Sequence, residues 1–159
     1  MANRFLVDVD GINPPEWLGR VEPFMQELAK ALSFDGQELS ILFCNDAIIQ
    51  ELNKNYRNID AATDVLSFEN GEKFTDEDGV EWLLAGDIAI SLDTLKKNAE
   101  YFECDVDSEL KRLLLHGFLH LNGYDHGEEH IEKGTAPTCD MLVLQEKVLE
   151  KLKDEKIIK

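Results

Sequence analysis

Apolar and polar residues alternate almost from the start of the chain, and RFLVDV, residues 4–9, reads as a first strand closed by a turn at Gly11. Helical spacing then takes over at Trp17, Leu18, Val21, Phe24, Met25, Leu28 and Leu32. Asn13 stands as its cap, Pro14 and Pro15 fill the first helical positions, and the stop falls between Phe34 and Gly36. ELSILFC (38–44) is a short β-type run, and Asn45 before DAIIQELNKNY caps a second helix that stops near Arg57. DVLSF (64–68) and WLLAGDIAIS (82–91) supply two more strands. Between them ENGEKFTDEDGVE (69–81) is acidic and glycine-punctuated, an exposed connection of hairpin type. From Asp93 onward Leu95, Ala99 and Phe102 mark one helix, and Leu110, Leu113, Leu114 and Phe118 mark another that Gly123 breaks. After a loose segment at 127–137, Thr138 is placed to cap a terminal helix bearing Met141, Leu144, Val148 and Leu152. Strands cluster early and helices late. The expectation is one α+β domain over residues 1–159, a mixed sheet of about four strands packed against about five helices.

Composition narrows the function classes. The chain has 159 residues, 43% of them hydrophobic, enough for one real core. No apolar run approaches the roughly 20 residues of a membrane helix, so no membrane partner is expected. MANRFLVDVD lacks the apolar stretch of a secretory signal, and the expected address is cytoplasmic. Cys44, Cys104 and Cys139 are odd in number and far apart, which suits a reducing compartment and buried thiols rather than a disulfide framework. With 33 acidic against 16 basic residues the net charge is −17. That charge disfavours broad adhesion to nucleic acid or anionic lipid, so a polyanionic substrate has to be met locally, in a cleft made positive by a few arginines and a bound cation.

Three of the four histidines fall in HGFLHLNGYDH, residues 116–126. His116 and His120 are one helical turn apart and share a face. Gly123 can turn the chain back and bring His126 to the same point. Three neutral imidazoles suit one Zn²⁺ and leave a fourth tetrahedral position open, the pattern of a catalytic site. Nickel, copper and iron also accept imidazole, so other divalent transition metals remain compatible. Asp125 is a candidate to orient an imidazole N–H, and His130 fits no turn of the pattern. In the zinc protease motif HExxH the residue after the first histidine is a general-base glutamate. Here it is Gly117, which can neither take nor give a proton. A zinc-bound water has its pKa lowered to about 7, so such a site can work without that base.

The same stretch resembles the HGxLHLxGYDH signature of the YbeY family of bacterial endoribonucleases. LNKNYRNIDAATDVLSF (52–68) is similar to that family's LNxxYRxxDxxTDVLSF, and AGDIAIS (85–91) to its GDIxIS strand. The resemblance implies a zinc-dependent endoribonuclease that processes ribosomal RNA near the 3′ end of the small-subunit RNA and serves ribosome quality control. It implies ribosomal RNA as the main partner, with ribosomal proteins and assembly GTPases as further candidates. His116, His120 and His126 are carried over as metal ligands and Arg57 as the cationic residue of the cleft, a role suited to a guanidinium that can pair a phosphate bidentately. Asp64, Ser67 and Asp87 match family positions and are expected to shape the site. Ala62 and Glu69 stand where the family often has proline. Two other readings stay open here: a peptidase with metzincin-like spacing, and a non-catalytic ribosome-assembly factor with a structural metal.

Overall fold

The computed structural model describes residues 3–124 and 139–159. Four strands, β1 (Arg4–Val9), β2 (Gln37–Cys44), β3 (Val65–Thr75) and β4 (Glu81–Ser91), form one sheet in the order β1-β2-β4-β3. β1, β2 and β4 run parallel, and β3 closes the edge antiparallel to β4. Five α-helices accompany them among the described residues: α1 (Val21–Leu32), α2 (Asp46–Arg57), α3 (Leu92–Tyr101), α4 (Val106–Leu121) and α5 (Asp140–Lys151). This is the α+β mixed sheet that the residue pattern predicts. None of these helices is long and apolar enough to cross a membrane.

The larger core lies between one face of the sheet and helices α1 and α4, with Met25, Leu28, Leu39, Ile41, Ile88, Leu114 and Phe118 buried in it. Phe118 meets Phe5 and Phe34 edge-to-face, with ring centroids at 5.8 and 5.2 Å. The opposite face is covered by α2 through a smaller cluster of Cys44, Ile49, Leu66 and Ala89. Because strand side chains alternate, Ile88 and Ala89 serve different cores.

Two elements differ from the sequence expectation. The first helix starts at Val21, preceded by a 3-10 turn at Leu18–Arg20, and not at Pro14. A residue before proline is pushed out of the α region, so Pro14, followed by Pro15, does not take the first helical position. Trp17 still packs edge-to-face on Phe43 at 5.2 Å. The acidic 69–81 segment forms the expected exposed hairpin, but its arms are regular strand: β3 continues to Thr75 and β4 begins at Glu81. Asp76 organises that turn, accepting from the Asp78 and Val80 amides at 2.9 Å each and from Trp82 Nε1 at 2.8 Å. Charge on an exposed edge strand discourages pairing with another chain, which accounts for its composition.

Gly86 marks where β3 and β2 both slip register against β4. Its φ is +142°, and a Cβ there would stand 2.0 Å from the Phe68 carbonyl oxygen, so only glycine lets the strands approach.

The helices are pinned by side chains at their ends. Asn45, Ser91 and Asp105 accept from the amides of Ile48, Thr94 and Ser108, capping α2, α3 and α4. The Thr138 cap lies outside the described residues. Cys139 occupies the cap position of α5 and makes no side-chain cap bond.

Asp46 ties α2 to α3 by accepting from Ser91 Oγ at 2.6 Å, Thr94 Oγ1 at 2.5 Å and Lys97 Nζ at 3.1 Å. Partial burial works against its charge, yet these three donors hold its carboxyl below the usual range. A depressed folded value means stability that is present above the unfolded pKa of about 3.9 and lost as pH falls through the lower folded value. Asp46→Asn should therefore lose less stability than the parent chain between pH 5 and 3; equal losses in denaturant titrations would remove this assignment.

At the start of α4, Asp107 Oδ1 accepts from the amides of Ile157 and Ile158 at 2.7 and 2.8 Å. Buried Lys111 donates to the carbonyl of Leu152 at 3.1 Å and stands 3.7 Å from Asp107 Oδ2. Together they hold the carboxy-terminal segment on α4. Asp107→Ala would take the counter-charge from the buried ammonium and leave two amides without their acceptor, and a loss of about 3 kcal/mol in chemical denaturation is expected; a loss below about 1 kcal/mol would contradict the tie.

Candidate active site

α4 carries one face into a cleft of about 680 Å³ that β3, the end of α2 and α5 complete. Glu109, Arg112, Leu113, His116 and His120 all line it, at helical intervals of three and four. The helix ends as the sequence predicts. Asn122 is the last cap residue, Gly123 takes φ +86°, and the amides of Gly123 and Tyr124 bond to His120 and Leu119 carbonyls at 3.1 Å each. That pair of bonds is a Schellman closure, which satisfies the terminal carbonyls of a helix.

The Nε2 atoms of His116 and His120 stand 3.1 Å apart. Two nitrogens bound to one tetrahedral zinc at about 2.0–2.1 Å are separated by about 3.3 Å, so the pair fits two positions of such an ion. His116 Nδ1 lies 2.8 Å from Gln145 Oε1 on α5. Among the described residues no group of three metal-binding side chains forms. The third expected ligand, His126, lies outside the described residues, as do Asp125 and His130.

Arg57, the last residue of α2, reaches across to β3. Its Nη2 donates to the Ser67 carbonyl, and its guanidinium lies over the Phe68 ring at 5.2 Å from the centroid. Among the described residues no carboxylate pairs with it, and the carbonyl and the ring steer its charge without cancelling it. Asn58 follows in the left-handed region at φ +59°, ending α2 and setting the arginine at the cleft's rim.

Deeper in the cleft one guanidinium is held between two carboxylates. Arg112 Nη1 donates to Glu109 Oε1 at 2.7 Å, and its Nε and Nη2 grip Glu146 at 3.3 and 3.1 Å. Burial works against the Arg112 charge, but the two carboxylates hold it firmly protonated. Burial also pushes the Glu109 carboxyl up, partly offset by Arg112. Asp64 accepts from Asn98 Nδ2 at 2.8 Å and from the Val65 amide at 2.7 Å.

Of the residues expected to shape the site, Asp64 and Ser67 line the cleft, Ser67 through the carbonyl that anchors Arg57. Asp87 does not. It projects from the other face of β4, beside Leu52 and Tyr56, and accepts from Ser40 Oγ. Sequence reasoning missed Arg112, Gln145 and Glu146. Arg112 had a signal, being four residues before His116 on the same helical face. Gln145 and Glu146 had none, since α5 meets α4 only in the folded chain.

Gly117 is buried against the sheet, and a Cβ on it would stand 3.1 Å from Ile88 Cδ1 and Cγ2. That direction leads into the core, away from the cleft.

The fold and cleft define an α+β protein whose central helix presents paired imidazoles in the same cleft as an exposed guanidinium. A family model described as endoribonuclease YbeY matches residues 8–153. The chain is 50% identical over 138 residues to a Treponema denticola protein described as endoribonuclease YbeY, covering 87% of this chain and 85% of that one. An Aquifex aeolicus protein of the same description is 38% identical over 133 residues, covering 84% and 82%. The solution structure of TM1509 from Thermotoga maritima matches with a TM-score of 0.63 at 26% identity, covering 95% of this chain and 90% of that one. The chain belongs to the endoribonuclease YbeY family.

Proposed function

We propose that this chain is a zinc-dependent endoribonuclease that cleaves single-stranded RNA, with ribosomal RNA near the small-subunit 3′ end as its substrate and ribosome quality control as its setting. The family supports RNA as substrate. The observation that carries the chemistry is the Nε2 pair of His116 and His120, 3.1 Å apart on the same cleft as Arg57.

His116 and His120 would hold the ion with His126 as third ligand. When bound it supplies Lewis acidity and a nucleophile at neutral pH. The chain's own part is to bind and orient. Arg57, fixed by the Ser67 carbonyl and the Phe68 ring, is placed to pair with non-bridging phosphate oxygens and to stabilise the charge that grows on them as the bond breaks. Arg112 is spent on Glu109 and Glu146, so it holds the cleft wall and leaves phosphate binding to Arg57. The peptidase reading loses its base, because position 117 faces Ile88. In a cell, ribosomal proteins and assembly GTPases would deliver or restrain the substrate.

A labelled single-stranded RNA spanning the small-subunit 3′ end, its duplex form and a fluorescent peptide, each with and without chelator, test this reading. Cleavage of the single strand alone, lost with chelator and restored by zinc, is the expected result. Chelator-resistant RNA cleavage, or cleavage of the peptide, would overturn it.

A further inference from the structure

The hydrogen bonds around Gln145 have a fixed direction. Gln145 is fully buried on α5, with its Oε1 2.8 Å from His116 Nδ1 and its Nε2 3.1 Å from Glu146 Oε2. Glu146 is gripped in turn by Arg112 through Nε and Nη2. A guanidinium has donors only, and an ionised carboxylate accepts only. The group Gln145 offers Glu146 must therefore be its amide NH2, which leaves the amide oxygen facing His116. An oxygen at that place demands a proton on His116 Nδ1 and leaves the lone pair on Nε2, the atom beside His120.

We infer that Gln145 is a positioning residue: by accepting from His116 Nδ1–H it fixes the tautomer and the ring orientation that present the Nε2 lone pair to a cation in the cleft. The inference rests on the metal-site reading above. The chain Arg112, Glu146, Gln145, His116 sets this polarity before any cation arrives, because its first member cannot accept a hydrogen bond. Outer partners of metal-binding histidines typically contribute 10–100-fold to affinity.

Two readouts test it on the full-length protein. In metal-free protein, ¹⁵N spectra of the histidine rings should show the proton of His116 on Nδ1. Gln145→Met keeps the volume and loses the acceptor; it should abolish that single-tautomer signature and weaken zinc binding about 10–100-fold in chelator competition. Gln145→Glu combined with Glu146→Gln keeps an acceptor toward His116 and a donor between the two side chains, 3.1 Å apart in the parent chain, and should retain both. If Gln145→Met does not fold by circular dichroism, Glu146→Gln removes the acceptor-only group and should mix the His116 tautomers. A proton on His116 Nε2 in the parent chain, or a folded Gln145→Met with unchanged zinc affinity, would overturn the inference. His116→Ala separates the two levels. If it leaves zinc affinity intact the metal-site reading itself falls; if it abolishes binding while Gln145→Met does not, only the role of Gln145 falls.

Discussion

Replacing Arg57 by glutamate is expected to lower RNA cleavage by at least about 10³-fold while leaving the melting temperature within a degree or two. Loss of a single preorganised donor aimed at developing charge costs about 10²–10³ in rate, and reversing the sign adds repulsion of the phosphate. Stability should barely respond, because Arg57 is exposed and its contacts among the described residues are one carbonyl and one aromatic face. An exposed cation–π contact is worth about 0.5–1 kcal/mol, and surface substitutions of this kind usually stay within that range. Arg57→Lys is a finer test: charge survives but the bidentate fork does not. A fall of about 10²-fold with lysine is expected. Undiminished cleavage in Arg57→Glu would remove this residue from the chemistry.

The second large effect is on folding. Gly117→Glu would create the HExxH pattern of a zinc protease, and it should destabilise by on the order of 5 kcal/mol without giving peptidase activity. The new side chain would start 3.1 Å from Ile88 Cδ1 and Cγ2 inside the core. Overpacking costs about 1–3 kcal/mol and an uncompensated buried charge about 3–5 kcal/mol. The gain in helix propensity over glycine, about 0.8–1 kcal/mol, is too small to offset these. Gly117→Ala is the control: its one carbon needs Ile88 to shift by only a few tenths of an ångström, so a change below about 1 kcal/mol is expected in urea unfolding. A stable Gly117→Glu chain that cleaves peptides would show that position 117 does reach the cleft.

Much of this site was written locally. His116 and His120 share a turn, Gly123 closes the helix with its left-handed backbone, and Asn45 caps α2, each from a few neighbouring residues. The strands of β2 and β4 were legible because Leu39, Ile41, Phe43, Ile88 and Ile90 alternate with the residues of the other face. Pro14 misled, since its rule for opening helices yields to the restriction that Pro15 places on it. The acidic 69–81 segment hid a strand, because an exposed edge needs charge more than it needs apolar alternation. Buried Asp107, Glu109 and Lys111 look like solvated helix positions in sequence. They are buried because their partners, the Ile157 amide, Arg112 and the Leu152 carbonyl, arrive from other turns and other elements. Gln145 was invisible for the same reason.

X-ray absorption at the zinc edge, on protein loaded with one equivalent and freed of any histidine tag, probes the metal centre most directly. Three imidazoles at about 2.0–2.1 Å, a fourth light ligand and no sulfur are predicted, with one imidazole lost in His116→Ala. A sulfur shell, or a spectrum that His116→Ala leaves unchanged, would contradict the account.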